Sequence, residues 1–175
     1  MSKLSFVVKM SVWLLFIIGG LWLSLYLDNI FFGGPVAHNT LLYYTLFVIG
    51  VILLVTVLNI SRNTGRLLAR YGHDKNKARG QINLVVKQGP YAFMRHPMHL
   101  GLLFFPLAIA LISASPSFIL IVAPAEMLLI IILIKLVEEP QTKKLLGKEY
   151  EKYMKQVPMF CFSLKCIGEL LKPVK

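Results

Sequence analysis

The chain has 175 residues, a formal net charge of +11 and a mean hydropathy of +0.69, with 57% hydrophobic and 15% charged residues. This composition excludes an ordinary soluble globular domain and indicates an integral membrane protein. The basic residues are clustered and no nucleic-acid-binding motif accompanies them, so we expect contact with anionic lipid and none with nucleic acid.

Residues 10–27 form an uncharged apolar run that predicts a first transmembrane helix, with Trp13 and Trp22 placed as interfacial anchors. A cleaved signal peptide is the alternative, because Lys3 and Lys9 resemble its positive leading segment. The length of the run and the lack of a small-residue cleavage site after it favour the transmembrane helix.

Residues 41–60 form a second run of 20 uncharged residues, which predicts a second span. The segment 61–97 that follows is polar, and it holds eight of the 19 Lys and Arg residues against a single acidic residue, Asp74. We interpret it as a long cationic loop.

Residues 98–113 predict a third span that is short, because 16 residues at ~1.5 Å each reach only about 24 Å of a ~30 Å hydrocarbon core. Pro106 predicts a kink in it. Residues 117–137 predict a fourth span with a kink at Pro124, and the short turn between the two spans predicts a helical hairpin.

Residues 138–175 form a polar tail with apolar residues at helical spacing, which predicts an amphipathic helix lying on the membrane. The apolar positions are Leu145, Leu146, Tyr150, Tyr153 and Met154. The tail also contains Cys161 and Cys166, which lack the spacing of a zinc site. We expect no disulfide between them in a cytosolic tail and assign them no role.

The basic residues also predict the topology. The connections at 28–40 and 114–116 contain no Lys or Arg, whereas the N-terminus, the 61–97 loop and the tail hold 2, 8 and 8. By the positive-inside rule both termini and the loop are cytosolic. We therefore predict one domain of residues 1–175, an all-α polytopic membrane helical bundle with about four transmembrane helices and a C-terminal amphipathic cytosolic helix.

Two charged groups flank the predicted hairpin. Arg95 and His96 precede the third span, and Glu138 and Glu139 follow the fourth, so the hairpin brings them to the same membrane face. Carboxylates opposite an Arg and His pair can bind an amino-acid-like zwitterion. Glu126 lies near the middle of the fourth span, where an ionisable group has either a structural role or a place in a substrate pocket.

The ordered motifs of the chain resemble those of the isoprenylcysteine carboxyl methyltransferase and phospholipid methyltransferase superfamily over about residues 60–160. The motifs are Gly89-x-Tyr91, Arg95-His96-Pro97-x-x-x-Gly101, Glu138-Glu139, Gly147-x-Glu149-Tyr150-x-x-Tyr153 and Val157-Pro158. Each is weak alone, but their order around a helical hairpin is fairly specific.

The resemblance implies an integral membrane methyltransferase that uses S-adenosylmethionine and needs no metal. The cofactor-binding residues that it implies are Asn83, Leu84, Val85, Val86, Tyr91, His96, Pro97, Met98, His99, Gly101, Glu138 and Glu139, most of them in the 61–97 loop. The catalytic candidates are Arg95, His96, His99 and Glu138. The resemblance also suggests Lys135 as a substrate contact, and Glu126 is the second substrate candidate.

Three positions depart from the superfamily pattern. His99 replaces a usual tyrosine and adds a group that titrates near neutral pH. Pro140 predicts that the fourth helix ends or bends there. Met159 stands where an arginine is common, which leaves the acceptor open among a prenylcysteine carboxylate, a thiol and a phospholipid amine.

Two other functions are alternatives to methyl transfer. Membrane sterol reductases have a similar terminal segment and use NADPH, although they generally have more spans, and a non-catalytic scaffold could retain the same fold. The membrane is expected to be the plasma or inner membrane in a prokaryote and the endoplasmic reticulum in a eukaryote. The oligomeric state is left open.

Overall fold

The computed structural model describes residues 3–34, 39–73 and 84–172, and all regular structure within these ranges is helical. The α-helices are α1 (Lys3–Phe31), α2 (Thr40–Tyr71), α3 (Pro97–Leu103), α4 (Phe105–Ser113), α5 (Ala123–Leu133), α6 (Glu139–Gln156) and α7 (Leu164–Leu171). A 3₁₀ turn spans Gly89–Ala92, and π-helical turns span Phe118–Val122 and Ile134–Glu138. The predicted all-α membrane bundle is confirmed.

Three helical stretches in the described residues are long and apolar enough to cross a membrane: Leu14–Phe31, Thr40–Tyr71 and Phe118–Gln156. The apolar stretch Pro97–Ser113 is shorter. Each of these four stretches overlaps one of the four predicted runs, whereas the number of passes and the orientation of the termini stay predictions.

The predicted boundaries change at two places. The segment 61–97 was predicted as a loop, but α2 continues to Tyr71, since Arg and Leu are good helix formers. The third span bends as predicted, because the helix is interrupted at Phe104, two residues before Pro106.

Pro140 was predicted to end or bend the fourth helix, and the helix does not end there, which corrects the first of these alternatives. The π-helical turn Ile134–Glu138 is followed directly by α6, so Pro140, which has no N–H, lies where the helical bonding pattern changes. The true break comes at Gly147, with φ 61° and ψ −143°, a conformation that favours glycine.

The chain forms two compact units. Unit 1 contains residues Met1–Val55 and Leu103–Ile131, and unit 2 contains Thr56–Leu102 and Ile132–Lys175. The single domain therefore stays a prediction.

Unit 1 has an apolar core centred on Phe118 and Val122. Its helices approach closely at Gly50, where a Cβ would lie 2.8 Å from the backbone nitrogen of Ile112. The buried carboxylate of Asp28 accepts the N–H of Ser117 at 2.7 Å. This bond satisfies a free donor at the start of the fourth apolar helix and joins it to the end of α1.

Unit 2 contains the cationic segment and the tail. Gly101 of α3 packs against α2, because a Cβ there would lie 3.1 Å from the carbonyl oxygen of Val57. Tyr150 and Tyr153 are 4% and 3% exposed, so this side of α6 packs within the protein and does not lie on the membrane as predicted. The bend at Gly147 turns these rings into the unit.

Cys161 and Cys166 form a disulfide, which corrects the expectation that they are not bonded to each other. The turn between them is held by Ser163, whose hydroxyl accepts the N–H of Cys166 at 3.3 Å and caps α7. This local turn, with a Cα separation of 6.0 Å, brings two cysteines five residues apart within bonding range.

Candidate functional site

The Arg95 and His96 pair is presented by a tight turn. Gly89, with φ +58°, begins the 3₁₀ turn, Pro90 is its second residue, and the N–H of Met94 bonds back to the Pro90 carbonyl at 3.1 Å. Pro97 then begins α3, so Arg95 and His96 lie between two backbone turns that each contain a proline.

Tyr153 of α6 fixes this turn from the other side. Its hydroxyl donates to the carbonyl of Tyr91 at 2.5 Å and lies 3.3 Å from the carbonyl of Met94. The hydroxyl of Tyr91 donates in turn to the carbonyl of Thr64 in α2 at 3.3 Å. Burial raises the pKa of the Tyr91 phenol, so it remains a neutral donor at physiological pH.

Glu139 joins the turn to α6 through two bonds. One of its carboxylate oxygens lies 2.9 Å from a guanidinium nitrogen of Arg95 and 3.2 Å from Nε2 of His96. The Arg95 and Glu139 side chains are 11% and 10% exposed, so this ion pair is largely shielded from water. The two charged groups that flank the predicted hairpin therefore meet, as the sequence predicted.

Burial is the main cause that lowers the pKa of His96 from 6.5 to about 4. The nearby His99 and Arg95 lower it further, whereas Glu138 raises it. His96 is therefore neutral at pH 7, and its contact with Glu139 is a hydrogen bond rather than an ion pair. Because the Glu139 carboxylate can only accept a hydrogen bond, we assign the imidazole proton of His96 to Nε2.

Glu138 points to a different partner from Glu139, because successive residues of a helix face directions about 100° apart. Its Oε2 lies 2.8 Å from Nε2 of His99, and both side chains are partly exposed, at 32% and 23%. The two neighbouring carboxylates therefore differ: Glu139 holds the Arg95 turn, and Glu138 faces open space.

That open space is a cavity of about 170 Å³ within unit 2. It is lined by Leu68, Leu84, Val85, Val86, Tyr91, Arg95, His96, Met98, His99, Glu138, Thr142, Leu146, Tyr150 and Tyr153. Aliphatic side chains form one wall, and the Arg95, His96, His99 and Glu138 group forms a polar end. Such an apolar cavity with a few convergent polar groups is typical of a small-molecule site.

Nine predicted cofactor or catalytic residues line this cavity: Leu84, Val85, Val86, Tyr91, Arg95, His96, Met98, His99 and Glu138. Pro97, Gly101 and Glu139 do not line it and serve instead as a helix start, a packing contact and an ion-pair partner. Asn83 lies outside the described residues.

The two substrate candidates are placed elsewhere. Lys135 is exposed in a π-helical turn of unit 2 and does not line the cavity. Glu126 belongs to unit 1, where it is 8% exposed and lines an apolar cavity of about 330 Å³ with Gly19 and Gly20.

Sequence reasoning did not assign five lining residues to the site: Leu68, Thr142, Leu146, Tyr150 and Tyr153. Thr142 and Leu146 follow Glu138 at intervals of four, so helical periodicity continued past Pro140 would have found them. Tyr150 and Tyr153 are in a quoted motif but were assigned to the apolar side of the predicted amphipathic helix.

The polar end has two possible kinds of ligand. The donor atoms of His96, His99 and Glu138 lie within 4.8 Å of one another, a spacing that a metal ion could use. The Arg95 guanidinium beside them disfavours a cation. An amino-acid-like zwitterion fits better, since Glu138 can accept from an ammonium group and the buried Nε of Arg95 has no bonding partner among the described residues.

Comparison with known proteins agrees with this chemistry. No curated protein and no solved structure matches the chain significantly. The sequence model of the phospholipid methyltransferase family matches residues 39–149, which include the Arg95 turn, α3 and both Glu138 and Glu139. Because the match covers more than half of the chain, this protein belongs to the phospholipid methyltransferase family.

Proposed function

We propose that this protein transfers a methyl group from S-adenosylmethionine to an acceptor in the membrane, at the cytosolic face. Family membership supports methyl transfer. The observation that carries the choice of cofactor is the carboxylate of Glu138 beside cationic and imidazole groups at one end of an apolar cavity.

The residues present fit this cofactor. Glu138 would accept from its ammonium group, Arg95 would bind its carboxylate, and the Leu84–Val86 segment would contact its adenine. When bound, the cofactor supplies a methyl group already activated by the positive sulfonium. The remaining task of the protein is to orient and desolvate the reactants, which this shielded site can do.

Each polar residue of the site has a separate proposed role. Glu139 positions Arg95 and His96, while Tyr153 holds the turn that carries them. His99 is the proposed general base for a thiol or amine acceptor. With its Nε2–H donated to Glu138, its Nδ1 is the nitrogen that would take the proton.

The acceptor is proposed to be lipophilic or small: a phospholipid amine, a prenylcysteine carboxylate or a thiol. The family name favours the phospholipid amine. Lys135, which is exposed and lies three residues before Glu138 in the chain, is proposed to contact the acceptor. For Glu126 of unit 1, a substrate contact and a structural role both remain proposals.

Calorimetric titration of the detergent-solubilised protein with S-adenosylhomocysteine, run beside NADPH, tests the proposed cofactor. Saturable binding of the adenosyl ligand is expected, and it should be lost in His96→Ala and Glu138→Gln. Glu149→Gln is the matched control, because Glu149 is exposed, pairs with Lys87 and lies outside the cavity. Folded protein that binds only NADPH would refute the proposal.

A methyl-transfer assay then separates the acceptors. Radiolabelled S-adenosylmethionine is supplied with phosphatidylethanolamine, a prenylcysteine or an alkyl thiol in separate vesicle preparations. Label in one acceptor identifies the substrate class. His99→Gln should slow transfer to a thiol or an amine while leaving adenosyl-ligand binding in place, and equal rates for the variant and the parent would exclude His99 as the base.

A further inference from the structure

The C-terminal helix α7 presents three different faces. Cys166 and Leu170 are buried, each 3% exposed, and pack against the protein. Leu164, Ile167 and Leu171 are 89%, 40% and 54% exposed. At about 100° per residue these three side chains lie on one side of the helix, next to the buried side. This side is an apolar surface without a partner among the described residues.

The third face of α7 is charged. Lys165 and Glu169 lie on it, and Lys172 continues it beyond the helix end. Glu169 pairs with Lys172, so the charges stay on the side away from Leu164. Phe162, 61% exposed, lies just before the helix. A helix with adjacent apolar and lysine-bearing faces is typical of a segment lying in the interface of a bilayer.

The chain on either side of Cys161 is attached to the candidate site. The backbone N–H groups of Arg95 and His96 donate to the carbonyls of Pro158 and Met159 at 2.9 and 3.3 Å. α7 contacts the Gly89–Ala92 turn, and the ammonium group of Lys165 lies 5.2 Å from the centre of the Phe93 ring. The position of α7 is therefore coupled to the turn that carries the site.

We propose that the Leu164, Ile167 and Leu171 face of α7 docks into the bilayer interface and holds the Gly89–Ala92 turn at the level of the lipid headgroups. A lipid surface fits this face better than a protein partner. Three aliphatic side chains and one phenylalanine form a much smaller patch than the roughly 800 Å² per partner of a stable protein interface. The charged face carries two lysines and one glutamate, and its net positive charge complements anionic headgroups.

This proposal does not depend on the methyltransferase activity. It adds α7 to the parts of unit 2 that contact the membrane, and it would hold even if the cavity bound a different cofactor.

Tryptophan fluorescence in vesicles tests the docking. The natural tryptophans are replaced by Trp13→Phe and Trp22→Phe, and a single reporter is introduced by Ile167→Trp. The full chain is reconstituted in vesicles of phosphatidylcholine and phosphatidylglycerol, with and without brominated acyl chains. We expect blue-shifted emission that loses intensity with brominated lipid and is protected from aqueous iodide.

A reporter on the charged face is the matched control. Lys172→Trp should emit at longer wavelength, lose intensity with iodide and respond less to brominated lipid. Leu171→Trp provides a second reporter on the apolar face, and it decides the result if thermal unfolding shows that Ile167→Trp does not fold.

Two results would overturn the proposal. The first is quenching of both apolar-face reporters by iodide, which would place that face in water. The second is protection from iodide without quenching by brominated lipid, which would show that a protein or a second copy of the chain covers it.

Discussion

Two glutamates of this protein are equally buried but have opposite surroundings. Glu139 of unit 2 and Glu126 of unit 1 are each 8% exposed. Glu139 contacts Arg95 and His96, whereas Glu126 lies in an apolar cavity and none of the described side chains bonds to it. Burial alone therefore does not distinguish a carboxylate that holds a site together from one that leaves its acceptor atoms free.

The difference follows from where each residue lies along the chain. Glu139 begins a helix whose other residues pack on the Arg95 turn, so the framework of the protein supplies its partners. Glu126 lies within a stretch of aliphatic residues and faces Gly20, where a Cβ would collide with its carboxyl group. The space that Gly20 leaves is what accommodates the Glu126 side chain.

The largest expected effect is on Glu139. Glu139→Gln removes the charge that pairs with the buried Arg95 guanidinium, and it should lower the free energy of unfolding by about 3–5 kcal/mol. Denaturant unfolding in detergent measures this. The double variant Arg95→Leu with Glu139→Leu should recover part of the loss, because it leaves no buried charge unpaired. A double variant as unstable as the sum of its single changes would contradict the pairing.

The next effect is a loss of stability in acid that depends on His96. The pKa of His96 is about 4 in the folded protein against 6.5 unperturbed, so the unfolded chain binds its proton first as the pH falls. Stability should be full above pH 6.5 and fall by about 2–3 kcal/mol toward pH 4. Thermal unfolding across this range measures it.

His96→Gln is the control for the acid response. Glutamine keeps an N–H donor for Glu139 but cannot titrate, so its unfolding temperature should change less between pH 6.5 and 4 than that of the parent. The same slope in both proteins would assign the acid response to another group.

A smaller effect is expected where Tyr153 supports the same framework. Tyr153→Phe removes the donor for the carbonyls of Tyr91 and Met94 and should cost about 1–3 kcal/mol, because these buried acceptors lose their partner. Tyr150→Phe is the matched control, since Tyr150 is also buried and its hydroxyl bonds to no described residue. Equal losses in the two variants would assign the effect to ring packing instead.

The sequence predicts the parts of this structure that depend on local pattern. The apolar runs predict the helices, and proline and the Arg95, His96 and Glu138 motifs predict the turn and its partners. It did not predict the different roles of Glu138 and Glu139, because the directions of their side chains depend on the π-helical turn Ile134–Glu138, which ends at Glu138. Nor did it predict the Cys161–Cys166 disulfide, which depends on a capped turn of a few residues.

The smallest effect is expected at Glu126, and it is the sharpest test of the comparison. Glu126→Gln breaks no bond to a described residue, and the amide that replaces the carboxyl group has nearly the same size. Replacing a group that is costly to bury in a membrane should therefore leave stability within about 1 kcal/mol of the parent or raise it. The measurement is denaturant unfolding in detergent, run beside Glu139→Gln. Gly20→Ala is the control for space, because its added methyl group meets the Glu126 carboxyl, and its effect should be smaller in a Glu126→Ala background, where that carboxyl is absent. If Glu126→Gln instead destabilises as strongly as Glu139→Gln, Glu126 has a partner of its own, and the two glutamates are alike in environment as well as in burial.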